Sequence, residues 1–472
     1  MKLNYMDLKH LFRMSIPVIL TVFVSQVQAQ QTYAFTAKEC MDYAAKNSLQ
    51  VRNALLGIRI QEETNREYTS AAYPRIGGSV GTNYSPNVAT QVFPNFIAAA
   101  TYGVLEKEGV ADQYGNLIKS PKDFGFVQAQ FGTKYNASFG MEFSQLLFDG
   151  QVFVGLQARA SALQLAQKSV EVTEENIRAN VLKIYYQLAA ARKQSTTIDI
   201  NLERIEKLLT DTRELFRNGF AEKLDIDKLQ VSLVNLQTEK EKIDRQIESG
   251  YLGLKLLMGM PVKDNLILTD TVPDKELKKD ILEAAYDYND RKEVQQLKIA
   301  EELGHFNVRR YQLSKIPIVA LFGQYQKIAL RNSFNFFDFG QSWFPSSLIG
   351  LKINVSLFEG LARNAHIQKA RYELEQTHNN MSLLKQSIDH DVEQARIKFR
   401  NALLSMDVQA KNMELAEKTF EVAKIKYGQG AGSSLELLNV QSELRVAQNN
   451  YYNALYDAII ARVDYQKSVG KL

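Results

Sequence analysis

The fold of this chain is decided by residues 151–217, which read QVFVGLQARASALQLAQKSVEVTEENIRANVLKIYYQLAAARKQSTTIDINLERIEKLLTDTRELFR. One apolar column recurs there at every seventh position: Leu156, Leu163, Val170, Ile177, Ile184, Ala191, Ile198 and Ile205. A second column runs beside it: Val181, Leu188, Leu202 and Leu209, with Ser195 as its polar member. This period, uninterrupted by proline, predicts one helix under-wound to 3.5 residues per turn and packed along its length against a partner. At 1.5 Å per residue the helix is roughly 100 Å long.

The same kind of helix occurs a second time, 211 positions later. Its column is Ile367, Leu374, Met381, Ile388, Ala395 and Ala402. Related motifs precede and follow both helices: Phe148-Asp149-Gly150 and Phe358-Glu359-Gly360 before them, Phe216-x-x-Gly219 and Tyr427-x-x-Gly430 after them. A long unit present twice indicates a duplicated half-domain and not an open array. The predicted organisation is repeat 1 at 30–258, an equatorial connector at 259–278 and repeat 2 at 279–472.

Each repeat is expected to hold further helices and a β-hairpin beside its long helix. Helical composition predicts helices at 36–72, 221–258, 279–314 and 434–470. Strands are predicted at 75–84, 135–144, 316–325 and 349–357. In the second strand of each hairpin, apolar and polar side chains alternate. Residues 85–133 are expected to form a long polar, aromatic-rich loop, and repeat 1 carries 33 extra residues there.

The strands and the N-terminus together indicate export to a membrane. Residues 1–29 have the pattern of a secretory signal peptide: basic residues, a short apolar run and a small-residue cleavage site. Strands of about 10 residues, apolar on one face and polar on the other, match transmembrane β-strands. Four strands are too few to close a barrel, since the smallest have about eight, and open edges are not tolerated in lipid. We therefore expect several chains to share one barrel.

Composition and motifs argue against an enzyme and against nucleic acid as a partner. The net charge is +4 without basic clusters. The five histidines form no HExxH motif, Cys40 is the single cysteine, and no phosphate-binding glycine loop is present. His366, His378 and His390 are interpreted as solvated surface residues. The sequence predicts no catalytic residue, no cofactor and no metal site.

The motifs resemble those of the TolC-type outer membrane efflux protein family across residues 36–470. The carriers of the resemblance are Tyr73-Pro74-Arg75-Ile76, the 145–150 run Gln-Leu-Leu-Phe-Asp-Gly, Phe216-x-x-Gly219 followed by Asp225, Leu357-Phe358-Glu359-Gly360, and Tyr427-x-x-Gly430 followed by Glu436-Leu437-Leu438-Asn439. The resemblance implies a mostly α fold with a small β part. Duplicated antiparallel coiled-coil helices form a periplasmic α-barrel, and each chain gives four strands to a shared transmembrane β-barrel. It also implies a homotrimer in the outer membrane, in contact with its lipid.

The same resemblance implies partners and a function. The trimer docks to a periplasmic adaptor (membrane fusion) protein and an inner-membrane pump. It acts as a passive conduit of a tripartite efflux or type I secretion system, for drugs, metal ions, other small solutes or proteins. A structural periplasmic coiled-coil protein without membrane insertion is the alternative, although it has no use for the four strands. A periplasmic hydrolase on a helical scaffold lacks a convergent set of catalytic residues.

The two helical tips are the candidate gate. Gly219 and Gly430 permit the positive φ that a helix-reversing turn needs. The resemblance implies that the second tip lines the tunnel entrance, where acidic side chains one turn apart form a cation-selective ring; here the pair is Glu436 and Asn439. Tyr427 is a candidate hydrogen-bond partner of Asp225 in a neighbouring tip, and helix capping by Asp225 is the simpler alternative. Where the family tends to have an arginine after the tip glycine, this chain has Gly432.

Overall fold

The computed structural model describes residues 31–270, 285–338 and 340–472, and the predicted signal peptide lies outside them. The chain divides into two compact units. Of the described residues, the tip unit holds 31–48, 180–270 and 411–456, and the sheet unit holds 49–179, 285–338, 340–410 and 457–472. A search of the described helices finds none that is long and apolar enough to cross a membrane.

Eight helices and eight strands make up the described residues. In chain order they are β1 Thr32–Phe35, α1 Ala37–Asn47, α2 Leu49–Ser70, β2 Arg75–Tyr84, β3 Thr90–Pro94, α3 Phe96–Lys107, β4 Phe126–Gln130, β5 Tyr135–Phe148, α4 Gly150–Arg217, α5 Lys223–Met258, β6 Asn265–Leu268, α6 Lys292–Leu313, β7 Ile318–Arg331, β8 Phe344–Asn354, α7 Ala362–Gly428 and α8 Ser434–Ser468. The two long helices of 68 and 67 residues confirm the seven-residue period as a signal of uninterrupted helix.

Two of the predicted helices differ from the structure. The helix expected over 36–72 is broken at Ser48, whose ψ of 130° separates α1 from α2. The helix expected to begin at 279 begins at Lys292; residues 285–287 are not helical and Tyr288–Asp290 is a short 3-10 turn. Both α2 and α6 therefore have 22 residues, and the predicted lengths of 37 and 36 were wrong.

The long loop of repeat 1 is more ordered than the sequence suggested. It contains the antiparallel pair β3–β4 and the 12-residue helix α3 between them. The side chain of Asn95 caps α3 by accepting a hydrogen bond from the Ala98 N–H at 3.0 Å. The prediction of one long loop over 85–133 missed these elements because small residues such as the alanines at 98–100 do not stand out in a hydrophobic periodicity, yet they favour helix.

The apolar columns form the cores that the sequence predicted. In the tip unit, α4 packs on α5 through Ile198, Ile205, Leu209, Leu229, Leu233, Leu236 and Ile243. In the sheet unit, α6, α7 and α8 enclose Val294, Met381, Ile388, Val392, Ala395, Phe399, Ala461, Tyr465 and Val469. Cys40 is fully buried in α1, as expected for a small apolar residue.

Strand β6, inside the segment predicted as a polar connector, pairs in parallel with β1. Buried Tyr185 bonds to the backbone at the end of both strands: the phenol donates to the Phe35 carbonyl at 3.2 Å and accepts from the Asp270 N–H at 2.9 Å. Burial raises the pKa of Tyr185 to about 12, so the hydroxyl keeps its proton. Sequence reasoning missed this pair because four-residue strands carry too little alternation to be recognised.

The four predicted strands form one antiparallel sheet in the order β2-β5-β7-β8. In their register Ile76 is opposite Phe143, Met141 opposite Tyr325, and Leu321 opposite Leu351, so these side chains share one face. Many apolar side chains of this face are exposed in the single chain: Ile76, Val80, Phe139, Met141, Tyr325, Ile349, Leu351 and Ile353. The sheet thus presents one largely apolar face, which also includes Lys327 and Arg331. The other face mixes serine, asparagine and glutamine with apolar side chains of β7 and β8 such as Phe322, Ile328 and Leu348.

Helices α5 and α8, which lead the chain back from the tips and are called the return helices, are each followed by a glycine with positive φ, and the two glycines are 211 positions apart. Gly259 follows α5 with φ +70°, and a Cβ there would lie 2.3 Å from the Asn47 carbonyl oxygen. Gly470 follows α8 with φ +72°, and a Cβ there would lie 3.1 Å from atoms of Asp290. In each repeat the chain after the return helix therefore touches the backbone just before a 22-residue helix.

Candidate entrance site at the helical tips

The first tip is the turn between α4 and α5, residues 218–222. Gly219 has φ +82°, and its N–H donates to the Phe216 carbonyl at 3.0 Å; the Phe220 N–H donates to the Leu215 carbonyl at 2.8 Å. These bonds satisfy carbonyls at the end of α4. A Cβ on Gly219 would meet no atom within 4 Å. The turn therefore needs glycine for its backbone angle and not for space.

The second tip, residues 429–433 between α7 and α8, has the same geometry. Gly430 has φ +75° and donates to the Tyr427 carbonyl at 3.0 Å, and the Ala431 N–H donates to the Lys426 carbonyl at 2.9 Å. A Cβ on Gly430 would also meet nothing within 4 Å. The duplicated sequence motif thus produces a duplicated turn.

Asp225 connects the first turns of α5 and α8. Its carboxylate accepts one hydrogen bond from the Glu222 N–H at 3.2 Å, in a capping box, and a second, short one from the Ser434 hydroxyl. The capping role suggested by the sequence is therefore present, and a contact between the two tips accompanies it. Ser434 was missed by sequence reasoning, because its partner lies 209 positions away.

The side chains of Tyr427 and Asp225 hydrogen-bond to different residues within the chain. The Tyr427 hydroxyl lies 3.0 Å from the hydroxyl of Thr212, whose side chain is fully buried between the ends of α4 and α7. The two residues that the sequence grouped as one hydrogen-bonded pair therefore have different partners in the single chain. Together, the Tyr427–Thr212 and Asp225–Ser434 contacts fix the second tip to the first at two places.

A cavity of about 1250 Å³ lies between the tips, and charged side chains of both signs line it together with Asp225 and Tyr427. Glu436 and Asn439 do not line this cavity; both are exposed on α8. The Glu436 N–H donates to the Ser433 hydroxyl at 3.1 Å, which places its carboxylate in the first turn of α8, where the helix dipole favours negative charge. The structure therefore divides the predicted site in two: Asp225 and Tyr427 line the cavity, whereas Glu436 and Asn439 lie on the exposed surface of α8.

Gly432 is a further tip residue whose environment the sequence did not reveal. A Cβ at this position would lie 3.2 Å from the Tyr427 backbone nitrogen and 3.3 Å from the Lys426 Cβ. Contacts this short require the neighbouring backbone to shift. The tight turn thus accounts for a glycine here in place of the arginine that the resemblance implied.

Two side-chain hydrogen bonds join α4 to α8 a few turns away from the tips. The Asn201 amide donates to the Gln448 side-chain oxygen at 2.7 Å, with both residues buried, and the Thr197 and Tyr452 hydroxyls are 2.6 Å apart. Buried polar pairs such as these are satisfied in one axial register only, so they set how the helices align. The heptad analysis missed them because it followed apolar positions.

Comparison with known proteins identifies the family. Residues 41–260 and 291–471 match the family model described as outer membrane efflux protein. The chain belongs to this family. The match spans both repeats, both tips and all four strands of the sheet, and it places this efflux protein in the outer membrane.

Individual relatives of this efflux protein agree with that assignment. It is similar to the outer membrane protein TolC of Vibrio cholerae, with 18% identity over 340 residues that cover 71% of this chain and 77% of the relative. It is also similar to TolC of Salmonella enteritidis, with 18% identity over 358 residues that cover 74% and 72%.

Solved structures show the same fold. CusC matches with a TM-score of 0.70 and 15% identity over 92% of both chains. The outer membrane protein VceC of Vibrio cholerae matches with a TM-score of 0.65 and 15% identity over 92% of this chain and 96% of VceC. At this identity the similarity concerns the fold alone, and it confirms the expected combination of a helical tunnel with a small β part.

Proposed function

We propose that this efflux protein is the outer membrane channel of a tripartite efflux or type I secretion system. In this proposal three copies form a passive conduit for small molecules or proteins, with an iris-like gate at the periplasmic tips. The observation that carries the proposal is the four-stranded sheet, which has one exposed and largely apolar face. The proposed partners are a periplasmic adaptor protein and an inner-membrane pump.

The edges of the sheet support assembly with other copies. Among the described residues, β2 and β8 each pair with a neighbouring strand on one side only. An unpaired backbone N–H or C=O in lipid costs several kcal/mol, so a sheet edge of 10 residues is not tolerated there. Pairing β8 of one copy with β2 of the next removes every edge, and three copies give twelve strands, above the minimum of about eight.

An apolar column on α7 supports contact between copies along the helices. Besides its buried column, α7 exposes apolar side chains at intervals of seven: Ile397 and Leu404, and then Val408, Leu415 and Val422. These side chains are 55–64% exposed in the single chain. A second heptad column without a partner in the chain is expected where a helix also packs on a neighbouring subunit.

Membrane extraction and mass determination test the proposal against the alternative of a periplasmic coiled-coil protein. We expect the protein to remain in outer membranes washed with alkaline carbonate, to purify in detergent at three times the monomer mass, and to form pores in planar bilayers. A protein that the carbonate wash removes, or that is monomeric in detergent, would support the periplasmic alternative and end the channel proposal.

The Asp225–Ser434 contact is expected to hold the entrance narrow. Ser434→Ala removes the hydroxyl that Asp225 accepts from, and a hydrogen bond to a charged group contributes about 1.5–3 kcal/mol, less where solvent reaches it. We therefore expect a higher single-channel conductance for Ser434→Ala than for the wild type. Ser434→Thr keeps the hydroxyl and serves as the control. Equal conductance of the alanine and threonine variants would show that this contact does not restrict the entrance.

Glu436 is expected to make the entrance prefer cations. Three exposed carboxylates around a narrow opening create a negative potential there, so Glu436→Gln should lower the cation-to-anion permeability ratio by about twofold or more. Asn439→Asp adds a carboxylate one turn away and should raise the ratio. Reversal potentials in a salt gradient measure both changes. An unchanged ratio in both variants would place the selective charge elsewhere.

A further inference from the structure

Helices α6 and α7 pack against each other in opposite directions within the sheet unit. The Tyr311 ring stacks on His366 with centroids 5.3 Å apart, and the Asn307 amide donates to Glu373 at 3.3 Å. Further along, a Cβ on Gly304 would lie 2.9 Å from the Leu374 Cδ1. Glycine at 304 therefore permits a close approach of the two helices at this level.

Three potential metal ligands lie close together about one helical turn from the contact between Gly304 and Leu374. Glu301 and His305 are four residues apart on α6, which places them on the same face of the helix. His378 projects from α7, and its Nε2 lies 3.1 Å from the Glu301 Oε1. The two imidazole rings are 6.2 Å apart at their centroids, and one ligand atom from each of the three residues lies within 4.8 Å of the others.

We propose that Glu301, His305 and His378 bind a divalent transition-metal ion. Two imidazoles and one carboxylate are a ligand set for Zn²⁺, Ni²⁺, Co²⁺ or Cu²⁺, whereas Mg²⁺ and Ca²⁺ prefer oxygen ligands. Metal–nitrogen bonds of about 2.0–2.1 Å in a tetrahedron put ligand atoms roughly 3.4 Å apart. Rotation of these partly exposed side chains would bring the ligand atoms to this distance, and the fourth position stays open to water.

Repeat 1 provides a comparison within the same chain. At the positions that correspond to Glu301, His305 and His378 it has Ile58, Glu62 and Gln167. The two histidine positions are thus a glutamate and a glutamine, neither of which supplies the imidazole ligands on which the proposed site depends, and the isoleucine removes the carboxylate. The site is therefore a property of repeat 2, and we expect one ion per chain.

Binding at this site joins α6 to α7. An ion that binds only the folded protein stabilises it by RT ln(1 + c/Kd), where c is the ion concentration, so the stabilisation grows with the ion concentration. The bound ion therefore links two helices of the sheet unit. The site does not depend on the proposed conduit or on its gate.

Metal titration of the full-length protein in detergent tests the site. The protein is purified with an affinity tag that lacks histidine, stripped with a chelator, and titrated with Zn²⁺ against a chromophoric competitor and with Co²⁺ by absorption. We expect one ion per chain. His305→Gln and His378→Gln should each weaken binding about tenfold or more, because each removes a ligand. His366→Gln and His390→Gln are the matched controls on α7 and should bind like the wild type.

A second readout distinguishes the site from adventitious binding. Zn²⁺ should raise the thermal midpoint of the wild type and of the two controls, and should leave that of His378→Gln unchanged. Glu301→Gln keeps the side-chain size, so it provides a folded variant if a histidine variant does not accumulate. Equal Zn²⁺ affinity in the wild type and all ligand variants, or equal binding of Mg²⁺, would overturn the proposal.

Discussion

Gly259→Ala is expected to lower the free energy of unfolding by about 3–5 kcal/mol, because two effects add. A non-glycine residue at φ +70° is disfavoured by about 1–2 kcal/mol. The new Cβ would also lie 2.3 Å from the carbonyl oxygen and 2.8 Å from the carbonyl carbon of Asn47. Those are backbone atoms at the end of α1, so relief requires moving that helix end. Thermal unfolding followed by circular dichroism at 222 nm measures the change.

Two other glycines provide a graded control series. Gly470 has a similar φ, and a Cβ there would lie 3.1 Å from Asp290, so Gly470→Ala should lower the free energy of unfolding by less than Gly259→Ala does. Gly219→Ala also has positive φ, at +82°, but its Cβ would meet nothing within 4 Å, so about 1 kcal/mol is expected. The thermal midpoint should therefore be lowered least in Gly219→Ala, more in Gly470→Ala and most in Gly259→Ala. Equal losses in all three variants would show that backbone angle alone, and not the contact with Asn47, determines the effect.

Phe399→Ala is expected to have a similarly large effect through a cavity in the sheet unit. The Phe399 side chain is 1% exposed and stacks on Tyr465 with ring centroids 6.2 Å apart. Removing a buried phenylalanine ring destabilises proteins by about 3–5 kcal/mol, since transfer energy is lost and the surroundings refill the space only in part. The thermal midpoint should fall accordingly.

Tyr372→Ala is the matched control for this cavity. It removes an aromatic ring from the same helix, α7, at a position that is 66% exposed. A loss below about 1 kcal/mol is expected there. If the two variants had equal midpoints, the packing around Phe399 would not contribute to stability as its burial implies.

The long helices and the tips could be predicted because their signals are local and repeated. A seven-residue period fixes which side of a helix is buried, and α4 and α7 begin and end close to the predicted positions. The glycines at 219 and 430 follow the end of each period, where a reversal is required. The strands were located in the same way from their alternating residues, whereas the register between strands was not predicted, because it depends on partners that are distant in sequence.

The remaining features depend on contacts that are distant in sequence. The break at Ser48 occurs where Gly259 touches the neighbouring backbone, and nothing in the local sequence marks it. The Thr212 partner of Tyr427 is 215 positions away. His305 and His378 look like isolated surface histidines along the sequence, and only the packing of α6 on α7 brings them together.

The order of the sheet shows how the two repeats share one function. Because β5 pairs with β7, the two halves of the chain meet at the centre of the sheet, and each half contributes one outer strand. Each half thus holds one outer and one inner strand, so six separate halves would satisfy the same pairing rule as the three copies proposed above. The halves differ in what they add to this plan: the first has the ordered outer segment with β3, α3 and β4, and the second has His305 and His378.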